Sequence, residues 1–154
     1  MPEIVLEPNG VVRVPGVHDG YLIGVYGEDT DLILRIASVY GDRDVREFVL
    51  HGCSNLSIRN YGEINIVFEV RVQPSTVIDR TIARRLLHRD DADDNFDPGK
   101  FLESLVGKSL LLVTVDQSMG ADVMALCEKV TYRSLPKEKK PWIGGSGGGY
   151  RPPT

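Results

Sequence analysis

The chain has 154 residues, 42% hydrophobic and 26% charged, with a formal net charge of −4. That composition belongs to a globular protein long enough to bury a core, and it excludes whole-chain disorder. The charge argues against general attraction to nucleic acid or anionic membrane, and no apolar run approaches the roughly 20 residues of a membrane span.

Short alternating segments dominate the first half. Val11 to Val14 reads as a brief strand closed by a Pro15-Gly16 turn. Val17 to Tyr26 follows, then a polar turn at residues 27–31, then Leu32 to Val39 with apolar residues on both faces, as in a central strand. Gly41 to Asp44 forms a hairpin-like loop before Val45 to His51, which Gly52 ends. Asn55 to Tyr61 reads as a short strand or an irregular crossing, with Leu56 and Ile58 inward. The clearest alternation is Ile64 to Val72, with Ile64, Ile66, Phe68, Val70 and Val72 on one face and mostly polar residues on the other.

The period changes after Pro74. Ile78, Ile82 and Leu86 recur every fourth residue, predicting an amphipathic helix from Ser75, its cap, to about Leu87. Arg80, Arg84, Arg85 and Arg89 fall on its outer side and late turns, a solvated face more than a phosphate patch. Asp97-Pro98 signals a second helix running through Phe101, Leu102, Leu105 and Val106 to Gly107. Two strands follow, Ser109 to Asp116 and Asp122 to Arg133. After Leu135 the Lys- and Gly-rich segment 136–154 reads as a flexible tail on a single domain of residues 1–135.

Several residues invite chemistry. His18 beside Asp19 suits a general base or metal pair, but strand alternation sends neighbouring side chains to opposite faces, so a structural use is expected. His51 and Cys53 share a face only if the strand runs on through Gly52, and too few further ligands stand at motif spacing for zinc. The acidic run Asp90, Asp91, Asp93, Asp94 resembles a calcium loop from Asp91 through Asn95. Phe96 then occupies the position that needs glycine and Leu102 the one that needs a bidentate carboxylate, so no metal site is expected. Gly145-Ser146-Gly147 has no strand before it and no helix after it, which excludes a phosphate-binding loop. Trp142, the sole tryptophan, either folds back on the sheet or anchors a partner.

Met1-Pro2-Glu3-Ile4 lacks the basic and apolar regions of a signal peptide. Cys53 and Cys127 are the only cysteines and belong to no CxxC pair. A disulfide between them stays open; two reduced, mostly buried thiols in a cytoplasmic protein are the expectation.

The run His18-Asp19-Gly20-Tyr21-Leu22-Ile23-Gly24-Val25, with turn-separated strands and then Glu63-Ile64-Asn65-Ile66-Val67-Phe68, resembles a loose group of small bacterial β-rich proteins. Their first long strand begins with an HD-x-x-L pattern, and they include proposed immunity partners of polymorphic toxins. The resemblance covers Val17 to Val72. It implies a non-enzymatic binder and assigns no contact residue.

The expected fold is α+β: an antiparallel sheet or sandwich of about eight strands with two helices inserted before the last hairpin. The expected function is an immunity-like protein-interaction domain that occludes a basic protein partner through one sheet face or the acidic loop, with Asp90, Asp91, Asp93, Asp94 and Trp142 as contact residues. No cofactor, nucleic acid or membrane partner is expected. Two alternatives stand beside it: a small-ligand-binding or hydrolytic domain with a pocket near His18, Asp19 and His51, and a structural subunit of a larger assembly.

Overall fold

The computed structural model describes residues 4–38, 44–89 and 95–135. Among them are eight strands: β1 (Tyr21–Glu28), β2 (Asp31–Ala37), β3 (Val45–His51), β4 (Asn55–Arg59), β5 (Ile66–Pro74), β6 (Leu111–Met119), β7 (Asp122–Cys127) and β8 (Lys129–Leu135). Two short helices, α1 (Arg80–Leu86) and α2 (Gly99–Leu105), lie between β5 and β6. All strand pairs are antiparallel, in the order β4-β7-β6-β5-β1-β2-β3-β8. The fold is α+β and mainly β, as the sequence pattern predicts.

That order forces the sheet to roll. β7 and β8 stand six places apart, about 29 Å across a flat sheet at about 4.8 Å per strand. Yet only Glu128 separates them in the chain, a link that reaches about 7 Å. β3 and β4, also six places apart in the order, are likewise joined through Gly52, Cys53 and Ser54 alone. β3–β4 and β7–β8 are therefore one long two-stranded ribbon, bent near its middle. One half pairs with β2 and the other with β6.

Rolling encloses one apolar cluster. Leu22, Leu34, Ile36, Phe48, Leu50, Val70, Val72, Val113, Val115, Val123 and Ala125 are buried together, and Tyr132 packs on them from β8. Phe48 and Tyr132 are register partners with ring centroids 6.2 Å apart. A second cluster covers the outside of β6 and β7, where Leu112, Met124 and Leu126 meet Ile78, Ala83 and Leu86 from the α1 region and Leu105 from α2. Alternation thus gives β6 and β7 two apolar faces, one for each cluster.

Several local expectations change. Val11 to Val14 makes only isolated bridges, Leu6 with Val12 and Val11 with Arg71. β1 begins at Tyr21, because residues 18 and 19 form a turn with Asp19 at φ 61°. Ser75 sits in a 3-10 turn, and α1 starts five residues later, capped by the Asp79 carboxylate, which accepts from Ile82 N at 2.8 Å. Asp97 does hold the start of α2, accepting from Gly99 N at 2.9 Å. In β5 two register shifts around Val67 reverse the alternation. Val67 turns in, while Phe68 and Ile64 turn out, 48% and 44% exposed. Ile58 lies opposite Val123 on the end strand and is 38% exposed.

The outer side of β1, β2, β3 and β8 carries a buried carboxylate. Glu47 is 1% exposed and accepts from Tyr26 Oη at 2.5 Å, Arg35 Nη2 at 2.6 Å and Arg133 Nε at 2.8 Å. Burial alone would raise its pKa, but the hydrogen bonds from Tyr26, Arg35 and Arg133, with the charge of Arg35, outweigh it and hold the carboxyl below the usual range. Four strands are cross-linked through one side chain. A depressed carboxylate stabilises the fold above its unfolded-state pKa, and the contribution is lost as pH falls through the lower folded value. Glu47→Gln is expected to cost about 2 kcal/mol at pH 7. In urea titrations at pH 7 and pH 3 the gap between the variant and the parent should shrink at the lower pH.

Candidate functional site

The connection from β4 to β5 returns over the start of β1 and leaves a groove of about 230 Å³, lined by Tyr21, Ile23, Tyr61, Gly62, Glu63 and Ile64, among others. Tyr61 is 50% exposed at its rim. Ile66 continues the surface, paired with Tyr21 on one side and with Met119, 55% exposed, on the other. Farther along β5 the out-turned Phe68 meets the His18 ring edge-on at 5.2 Å. Large apolar side chains left in water around a concavity are the usual mark of a contact surface. Glu63 supplies the groove's carboxylate.

The loop that presents these residues is fixed from below by Asn65. Its side chain is buried, and its Oδ1 accepts from Gly62 N at 3.0 Å and Ala121 N at 2.9 Å, while Nδ2 donates to Gly62 O at 2.9 Å. Its backbone carbonyl accepts from Leu22 N at 2.8 Å. One residue therefore ties the loop to the β6–β7 turn and to β1. Gly120 makes room for it: φ is +82°, and a Cβ there would lie 2.5 Å from Asn65 Oδ1.

The sequence-derived candidates distribute as follows. His18 and Asp19 approach each other at 3.6 Å, against the expectation that strand alternation parts them, because they occupy a turn and not a strand. His18 Nδ1 lies 2.5 Å from Phe68 O, and Asp19 N donates to Val67 O at 2.8 Å, so the turn is a latch onto β5. His51 lies elsewhere. Its Nε2 is 2.8 Å from Thr131 Oγ1 and its Nδ1 3.3 Å from Asp31 Oδ2. The three residues of the expected pocket do not meet. Cys53 does not share a face with His51 either: Gly52 takes φ +60°, and Cys53 turns into the enclosed cluster. Asp90, Asp91, Asp93, Asp94 and Trp142 lie outside the described residues.

Of the arginines expected on a solvated face, Arg80 and Arg89 are exposed, whereas Arg85 is drawn against the sheet. Arg85 donates to Asp122 Oδ2 at 2.8 Å, Asp122 O at 2.9 Å and Ser57 Oγ at 3.2 Å, fastening the helix to β7 and β4. Arg80 pairs with Asp97 at 3.0 Å, and Arg89 stacks 4.5 Å over Phe96.

Asp31, His51 and Thr131 stand in the order carboxylate, imidazole, hydroxyl, the order of an activated nucleophile. Thr131 is only 5% exposed, however, so its hydroxyl is shut away from a substrate. As built, the relay cross-links β2, β3 and β8. Among the described residues no three His, Cys, Asp or Glu side chains group to hold a metal, and no helix is long and apolar enough to cross a membrane.

Sequence reading missed the groove because most of its residues flank the turn before β5, where no strand alternation marks which side chains face out. The run Tyr61-Gly62-Glu63-Ile64 carried one available signal: two large apolar residues set in a turn. Compared with known proteins, the chain matches no protein-family model, no curated protein and no solved structure.

Removing the Asn65 side chain leaves the amides of Gly62 and Ala121 without their partner. Asn65→Ala is expected to cost about 2–4 kcal/mol in chemical denaturation. It should also speed amide hydrogen exchange selectively across residues 60–65.

Proposed function

We propose that the chain is a non-enzymatic protein-binding domain, immunity-like in the sense of the β-rich proteins it resembles, and that its contact surface is the aromatic groove between β1 and the β4–β5 loop. The observation that carries the reading is the rigid presentation of Tyr61 and Ile64 in water beside Glu63, on a loop held by Asn65. An apolar anchor in a concavity next to one carboxylate suits a partner loop bearing a large apolar side chain beside Lys or Arg. The acidic run Asp90, Asp91, Asp93 and Asp94 and the tryptophan Trp142 extend the proposal, the aspartates as a second attraction for a basic protein and Trp142 as an anchor. Binding acts by occluding the partner.

The test uses binders selected from a displayed peptide library against the whole chain. The selected sequences should pair an aromatic or branched apolar residue with Lys or Arg. Tyr61→Ala should weaken them at least tenfold, about 1.4 kcal/mol, with circular dichroism showing the fold kept. Replacing the four aspartates with Asn should weaken them less, and chiefly at low salt. Binders indifferent to Tyr61, Ile64 and Glu63 would remove the groove from the reading.

A further inference from the structure

The ribbon bend places the chain's two cysteines opposite one another. Ser54 N donates to Leu126 O at 2.9 Å and Glu128 N to His51 O at 2.8 Å. Those two bonds bracket Gly52 and Cys53 on one strand against Cys127 on the other, two residues facing one, which is a β-bulge. On the Ser54 side the pattern is that of a non-hydrogen-bonded pair between Cys53 and Cys127, a position where Cα atoms lie about 4.5 Å apart and side chains approach most closely. A disulfide spans Cα separations of about 4.4–6.8 Å. Both side chains point to the same side: Cys127 is part of the enclosed cluster, and Cys53 packs against it. Both are free thiols.

Access is one-sided. Cys127 is fully buried, whereas Cys53 is half-buried and lines a groove of about 220 Å³ with Asp29, Asp31 and Asn55. Burial, with the charge of Cys53 second, pushes the Cys127 thiol up to about 12. Burial raises Cys53 as well. The pair therefore rests as thiols, and only Cys53 is open to a reagent.

We propose that Cys53 and Cys127 form an oxidisable pair that closes reversibly into a disulfide across the ribbon bend, with a low-molecular-weight disulfide as oxidant. The Cys53 thiolate attacks one sulfur of the oxidant, forms a mixed disulfide and releases one thiol. The Cys127 thiolate then attacks Cys53 Sγ, the mixed S–S bond breaks, and the second thiol leaves. The two protons given up by the cysteines end on the two released thiols, and two electrons pass to the oxidant. Closure locks together the two strands on which the rolling of the sheet depends.

The probe is cystamine, whose two ammonium groups suit the carboxylates of Asp29 and Asp31; oxidised glutathione, an anion, is the slower comparison. Treatment of the folded chain should remove both alkylatable thiols and lower the intact mass by about 2 Da. Peptide mapping should join the Cys53 and Cys127 fragments, and reductant should restore both thiols. Cys127→Ser should stop at a cysteamine adduct on Cys53, and Cys53→Ser should stay unmodified while folded. Circular dichroism on each sample confirms that the fold is kept, and the oxidised chain should melt about 5 °C or more higher. A wild-type product that stops at the Cys53 adduct overturns the proposal. So does linkage found only in denaturant or only between molecules, or a lowered melting point.

Discussion

The bend shared by two strands is the constraint on which everything else in this molecule rests. Pairing of β3 with β8 and of β4 with β7 makes one ribbon, and the ribbon serves both ends of the sheet. A bulge accomplishes the change of direction: Gly52 takes a left-handed conformation and Cys127 faces two residues instead of one. Once the ribbon bends, the inner faces of β1, β2, β5 and β6 have only each other to pack against. The apolar cluster is the result.

What remains outside the rolled sheet divides into an apolar and a polar region. On β6 and β7 the outer face is apolar, and the two helices cover it, with Arg85 reaching out of α1 to fasten the helix to Asp122 and Ser57. Over β1, β2, β3 and β8 the outer centre is instead a carboxylate ringed by two guanidiniums and a phenol. A buried charge with so many donors is specific about geometry: a one-residue shift of β1, β2 or β8 takes away one donor, and a shift of β3 takes Glu47 off all three. The polar cluster thus supports register where the apolar contacts alone would tolerate slippage.

Much of the architecture was legible because strand period and turn residues agree over β2, β3 and α2, and because Asp97-Pro98 and Gly107 punctuate the second helix as their chemistry demands. The failures share a cause. Val67, Cys127 and Asp19 each sit where a single residue is inserted, broken or left-handed, and one such residue reverses which face every later side chain takes. Phe68 therefore reads as core in a strict alternation and stands in water in the fold. Glu128 falls within what looks like one long strand, since nothing in its neighbours' polarity marks the point where the pairing partner changes. The groove by Tyr61 lies in the loop ahead of β5, outside any strand alternation, so it was not legible in the pattern. The Glu47 cluster brings together residues up to 107 positions apart, Tyr26 and Arg133, and sequence spacing carries no trace of that.

The ribbon also dictates an order of assembly. Its register joins Arg59 to Asp122 and Val45 to Leu135, so each of its contacts closes a loop of about 60 to 90 residues before it returns any free energy. During synthesis β2, β3 and β4 emerge long before β7 and β8 exist to cover them. Until then β3 offers one unpaired backbone edge and β4 two, with Phe48 and Leu50 uncovered beside them. Closure of the ribbon therefore waits for the last two strands, and the interval before it is when the β3–β4 arm is most open to pairing with a second copy.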